Sequence, residues 1–135
     1  FGQRDGFDSW TNLALDRMVT FEAAEGIAFI PPTDTHDAYF EDIVGVSKPI
    51  DTDCQFIKIK IDKSLWPYID SKPLHPSQTV VERTDTYTTI QLEVVPNYEF
   101  YAQILGLGSA VEILEPLEVR QEVKMKLKDM MECYR

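Results

Sequence analysis

Disulfide chemistry has little to work with in this chain. Its two cysteines, Cys54 and Cys133, lie far apart and fall in no CxxC or metal-ligand spacing. Neither a disulfide framework nor a zinc knuckle is indicated, and both are expected as buried free thiols in a reducing cytoplasm. No Asn-x-Ser/Thr sequon occurs, which fits that compartment. Although 44% of the residues are hydrophobic, no apolar run approaches the roughly 18 residues that span a bilayer. The expectation is a soluble globular protein with no membrane partner. Positive charge is also scarce, with 13 Lys and Arg against 23 Asp and Glu and a net charge of -10. The deficit is concentrated: residues 1–53 hold 3 basic and 11 acidic side chains, whereas residues 117–135 hold 5 and 4. A phosphate backbone is repelled by the first stretch and barely attracted by the last, so duplex DNA is not an expected partner of this chain by itself.

An initiator methionine and an apolar leader are missing as well. The sequence opens at Phe1 in the loop-like Gly2-Gln3-Arg4-Asp5-Gly6, and the expectation is a piece cut from a longer protein. At 135 residues it is long enough for one compact domain plus the tail of a neighbour. The boundary is placed in the polar, Pro49-containing stretch 47–53, giving segments 1–50 and 51–135.

Residues 11–21 alternate, with Leu13, Leu15, Val19 and Phe21 on one side and Asn12, Ala14, Asp16 and Thr20 on the other, which predicts a half-buried strand. Arg17 falls on the apolar side of that strand, where an unpaired charge is costly. It therefore needs solvent, a carboxylate or a ligand. A short strand over 26–30 is stopped by Pro31-Pro32. A helix capped by Asp34 or Thr35 follows, with Tyr39, Phe40, Ile43 and Val44 at helical spacing and Gly45 placed to end it. Beyond the linker, Ile57, Ile59 and Ile61 alternate with Lys58 and Lys60 in a strand over 55–62. A turn or two of helix over 64–69 comes next, then strands over 79–83 and 87–95 joined by Thr84-Asp85-Thr86. A helix over 98–105 is capped by Asn97 and ended by Gly106 and Gly108, and a strand over 110–114 follows. The last helix opens at Pro116 as its first residue and carries the stripe Val119, Val123, Leu127, Met130 and Tyr134. From residue 55 the order is strand, helix, strand, strand, helix, strand, plus one more helix. This predicts an α+β, ferredoxin-like βαββαβ domain with an extra C-terminal helix.

Several stretches resemble one family. Residues 13–18, Leu-Ala-Leu-Asp-Arg-Met, resemble the "RLDRI" strand of WYL domains, and Asp37 to Phe40 with Gly45-Val46 resembles the "YF…GI" segment after it. Leu74-His75-Pro76-Ser77-Gln78 resembles the "HxSQ" loop of the C-terminal extension of those proteins, often called WCX. Gly106, Gly108 and Val111-Glu112-Ile113-Leu114 with Pro116 resemble the "G…VEVLxP" ending of that extension. The matches cover nearly the whole chain in the right order. The resemblance implies a bacterial transcription regulator with an N-terminal winged helix-turn-helix, an Sm-like WYL barrel that senses a ligand, and a WCX extension that helps dimerise the protein. It implies further that residues 1–50 are an incomplete Sm-like barrel remnant, the Trp-Tyr-Leu strand lying before Phe1. Homodimerisation, an effector that is a small molecule or a nucleic acid, and DNA contact only through the missing N-terminal part are what it implies about partners. The sequence departs from the family at Ala14, where many members carry arginine, so Asp16 and Arg17 remain as the ligand-binding candidates.

Other constellations read as structural. His75, Ser77 and Asp70 lack the glycine-rich elbow and oxyanion arrangement of a nucleophilic site, so His75 is expected to stabilise its loop. Asp34, His36 and Asp37 read as helix-start residues, not metal ligands. Glu41, Asp42, Asp51 and Asp53 lack calcium-loop spacing and read as solvated surface. Trp66, Tyr68, Tyr98, Phe100 and Tyr101 have no interleaved basic residues, so core packing is expected over base stacking. No catalytic residue, cofactor or metal is assigned. The competing expectation is a small-molecule-binding or enzymatic domain on a ferredoxin-like scaffold, since that fold hosts many functions.

Overall fold

Ile57, Ile59 and Ile61 are all fully buried while Phe56 and Asp62 on the same strand are exposed, and this alternation organises the larger part of the chain. The computed structural model describes residues 2, 3, 10, 11, 13–28, 31 and 36–135. The chain divides into two compact units, Phe1–His36 and Asp37–Arg135.

In the larger unit, strands β3 (Gln55–Asp62), β4 (Thr79–Arg83), β5 (Tyr87–Val94) and β6 (Val111–Glu115) form one sheet in the order β4-β5-β3-β6. Every neighbouring pair is antiparallel. The unit is thus a mixed α/β fold around a four-stranded antiparallel sheet. Register sets Ile57 opposite Leu92, and Ile59 opposite both Ile90 and Ile113, so one face of the sheet is aliphatic from strand to strand. Helices α2 (Trp66–Ser71), α3 (Tyr98–Gly106) and α4 (Leu117–Glu132) add Ile69, Phe100, Ile104 and Val119 to the same cluster. Burying each such side chain contributes about 1.5–3 kcal/mol. The other face is polar, with Lys58 paired to Glu115 at 2.8 Å and Lys60 to Glu112 at 3.7 Å.

The bounds of β3 and β4 and the turn between β4 and β5 match those expected from the sequence. Asn97 caps α3, its Oδ1 accepting from the Phe100 amide at 2.8 Å. Pro116 stands one residue earlier than expected, as the N-cap of α4 and not its first residue. The stripe on α4 splits in two: Val119 is buried and Val123 half-buried, while Leu127, Met130 and Tyr134 are exposed.

The expected helix before the linker is shorter than its apolar spacing implied. Helix α1 is His36–Phe40, and Ile43 instead forms a parallel bridge to Val95, whose amide donates to the Asp42 carbonyl at 2.6 Å. The free end of β5 outcompetes another helical turn for that backbone. Asp34 and Thr35, the expected caps, lie outside the described residues.

The smaller unit departs furthest from expectation. Strands β1 (Gly2–Gln3) and β2 (Trp10–Thr11) pair antiparallel. The strand expected over 11–21 is absent over 13–21: Leu15–Arg17 is a single 3-10 turn, and residues 13–28 are exposed throughout. Alternation alone cannot hold a strand, because its backbone needs a neighbouring ladder, and none pairs with this stretch among the described residues. Gly26 sits in a turn with φ +77° and Ile27 and Ala28 adopt no regular structure, so the strand expected over 26–30 is not formed at its start. Phe29 and Ile30 lie outside the described residues. Both cysteines are exposed, not buried, since Cys54 precedes the first sheet strand and Cys133 follows the last buried turn of α4.

Candidate functional site

Three elements meet imperfectly at the β6 edge of the sheet. Helix α3 brings Ile104 and Leu105, β6 brings Val111 and Ile113, and α4 brings Val123 and Leu127, leaving a groove of about 250 Å³. Gly108, with φ +63°, turns the chain between α3 and β6 at its end. The walls are aliphatic and the rim is charged, with Glu112, Arg120 and Lys124 around the mouth.

Arg120 has a structural task there. Its Nη1 donates to the Ile113 carbonyl at 2.6 Å and its Nη2 pairs with Glu112 at 2.9 Å. An edge strand leaves backbone groups unpaired, and a guanidinium fork can satisfy one while holding a carboxylate. Lys126, on another side of α4, pairs with Glu122 at 3.1 Å and lies over the Tyr101 ring at 5.1 Å. Lys124 and Lys128 form no ion pair with any described residue.

At the opposite end of α3, residues 42–48 form a strap across the unit. Asn97, 2% exposed, donates from Nδ2 to the carbonyls of Val44 at 2.7 Å and Ser47 at 2.8 Å. Glu99 Oε1 accepts from the Ser47 hydroxyl at 2.7 Å and the Ser47 amide at 3.2 Å. Burial pushes the Glu99 carboxyl up, but these hydrogen bonds outweigh it and hold the group below its usual range. Gly45 has φ +75°, and a Cβ there would sit 2.7 Å from Glu99 Cγ. Lys48 closes the strap on Asp42 at 2.8 Å.

The histidine loop lies beside the strap. Ser77 donates its amide to His75 Nδ1 at 3.2 Å, which places the ring proton on Nε2, and the Ser77 hydroxyl is 2.7 Å from the same nitrogen. The Glu93 amide donates to Ser77 Oγ at 2.9 Å, and the Leu74 amide donates to Gln78 Oε1 at 3.0 Å. His75, Ser77 and Gln78 thus latch the loop to β5, the stabilising role expected of His75. Burial lowers the His75 pKa, against Asp42 and backbone groups at Ile43 and Glu41 that pull it up.

Of the sequence-predicted site residues, Asp16 and Arg17 lie side by side in the exposed 3-10 turn. No ion pair joins either to a described residue. Asp70 is exposed and makes no bond to His75 or Ser77 among those seen. Glu41, Asp51 and Asp53 are exposed, as a solvated surface requires, but Asp42 is half-buried and paired with Lys48, contrary to expectation. Phe100, Trp66 and Tyr101 belong to the core or pack against it, but Tyr68 and Tyr98 are exposed, contrary to expectation. Their positions on α2 and α3 face away from the sheet. The groove escaped the sequence reading. Its only sequence signal is Arg120, Lys124 and Lys128 at spacings of four beside Val119, Val123 and Leu127. Among the described residues no group of three or more His, Cys, Asp and Glu converges as a metal site, and no helix is long and apolar enough to cross a membrane.

The family model of the WCX domain matches residues 55–131, from the start of β3 to the end of α4. The chain belongs to the WCX domain family. A search of curated proteins finds no match.

Proposed function

We propose that this chain is the effector-sensing and dimerisation part of a bacterial, cytoplasmic transcription regulator whose helix-turn-helix lies outside it. The observation that carries the reading is the WCX match over 55–131, since that domain is the C-terminal extension of WYL regulators. In this reading residues 1–50 are the end of an Sm-like WYL barrel. Its support is the exposure of Val19 at 95% and Phe21 at 89%, apolar side chains that a barrel interior would cover. The sheet order β4-β5-β3-β6 supports a ferredoxin-like extension, with the two central strands first and third in its sequence. Asp16 and Arg17 are the ligand contacts proposed for the completed barrel, where a guanidinium can grip phosphate or carboxylate in two-point fashion. No catalysis is assigned. The groove at β6 favours small-molecule binding as a second reading that does not depend on a regulator.

The coding sequence ahead of Phe1 and a DNA titration test the proposal together. A winged helix-turn-helix should be encoded there. The protein carrying it should bind duplex from its own promoter sequence-specifically, typically about 10³-fold or more above random duplex, while residues 1–135 should not. Absence of that motif, or specific binding by residues 1–135 alone, would sink the reading.

A further inference from the structure

We infer that the groove between α3, β6 and α4 is a binding site for a medium-chain monocarboxylate, its alkyl chain against Ile104, Val111, Val123 and Leu127 and its head group at Lys124. The inference stands whether or not the chain belongs to a regulator. The walls offer aliphatic surface, so a sugar or nucleotide placed there would leave its polar groups unpaired, which is costly. An alkyl chain has nothing to leave unpaired. The groove encloses about 250 Å³, room for a short alkyl chain whose optimal length the titration reads.

The rim chooses the sign of the head group. Arg120 is already committed to Glu112 and the Ile113 carbonyl, so its charge is largely answered. Lys124 is not, and Lys128 continues the cationic line one turn along α4 without an ion pair to a described residue. In a chain with 23 acidic side chains, two adjacent unpaired lysines beside an aliphatic groove are complementary to an anion carrying an apolar tail. A lysine stem can lie along the apolar wall while its ammonium stays at the mouth. With Arg120 and Glu112 answering each other, Lys124 is the lining charge left over, and a single carboxylate matches it.

Isothermal titration of residues 1–135 with hexanoate, heptanoate and octanoate, below micelle formation, tests this. Octanol, anionic phosphatidylglycerol vesicles and the variants K124M and K124E complete the series. Saturable binding should tighten by about threefold to fourfold per methylene up to octanoate. Octanol and K124M should each weaken it by about threefold to fivefold, the scale of one exposed ion pair, and K124E should weaken it further. Lys124 is exposed, so unchanged circular dichroism should accompany these losses. If a variant does not fold, the chain-length and octanol comparisons on the unaltered protein still decide. Binding that ignores chain length, octanol equal to octanoate, binding to vesicles alone, or a dimer whose association octanoate does not weaken while octanoate itself fails to bind would each overturn the assignment. The last of these would give the groove to a second copy.

Discussion

Asn97 does two jobs with one side chain. Its oxygen accepts from Phe100 as the cap of α3, and its NH₂ group holds the strap through Val44 and Ser47. Replacing it by alanine removes a cap worth about 1 kcal/mol and deprives two part-buried strap carbonyls of their donor, at about 1–3 kcal/mol. We expect Asn97→Ala to lower unfolding free energy by about 2–4 kcal/mol in urea titrations. Asn97→Asp should also be destabilising although it keeps the cap oxygen, because it sets a carboxylate against carbonyl oxygens. The cap was readable in the sequence, since it is local. The strap contacts were not, because their partners lie 50 and 53 residues away. Acidity should act on the same region. Burial depresses the His75 pKa from 6.5, so below 6.5 the unfolded chain takes up a proton that the folded ring resists, and stability falls with pH. Glu99 is depressed from 4.5, so its contribution is present above that value and disappears as pH falls through the lower folded one. Urea midpoints should therefore drop in two stages on acidification. His75→Gln should flatten the upper stage and Glu99→Gln the lower, and an unaltered upper stage in the histidine variant would exclude that ring as its origin.

Element by element, what was legible followed pairing with a neighbour more than pattern alone. Strand β3 declared its bounds because Ile57, Ile59 and Ile61 each have an aliphatic cross-strand partner and are fully buried, so pattern and packing agree. Residues 13–21 carry a comparable alternation but form no ladder among the described residues, and their pattern records a partner that a pattern cannot supply. The end of α1 was misjudged for the related reason that Ile43 is claimed by Val95, a neighbour invisible to helical spacing. Helix α4 shows both cases within one element. Its first turns bury Val119 against the sheet cluster, while Met131 is 73% exposed. Val119→Ala should cost about 2 kcal/mol of stability, and Met131→Ala should change it by less than about 0.5 kcal/mol. Thermal unfolding of the two variants side by side checks this, and equal losses would mean that both halves of the helix are covered in solution.

At the scale of the whole chain, the apolar surface left uncovered among the described residues includes the stretch around Leu15, Val19 and Phe21, and Met130, Met131 and Tyr134 at and just beyond the end of α4. Exposed patches of this kind mark interaction surfaces, and we expect self-association. Sedimentation equilibrium at micromolar concentration should report a dimer. Substituting Met130 and Tyr134 by serine should abolish it if α4 carries the contact, substituting Val19 and Phe21 should do so if the first unit does, and a monomer throughout would defeat the expectation. The strap has a different consequence, for how such a domain can pass between genes. The WCX match begins at Gln55, but the Asn97 NH₂ group and Oε1 of Glu99 find partners in residues 44–47. A recombination event joining new sequence at residue 55 would keep the Asn97 cap on Phe100 but leave the NH₂ group and the Glu99 carboxylate without their strap partners. A junction ahead of Asp37 would carry the strap along, so the stretch needed to keep these hydrogen bonds is longer than the stretch by which the domain is recognised.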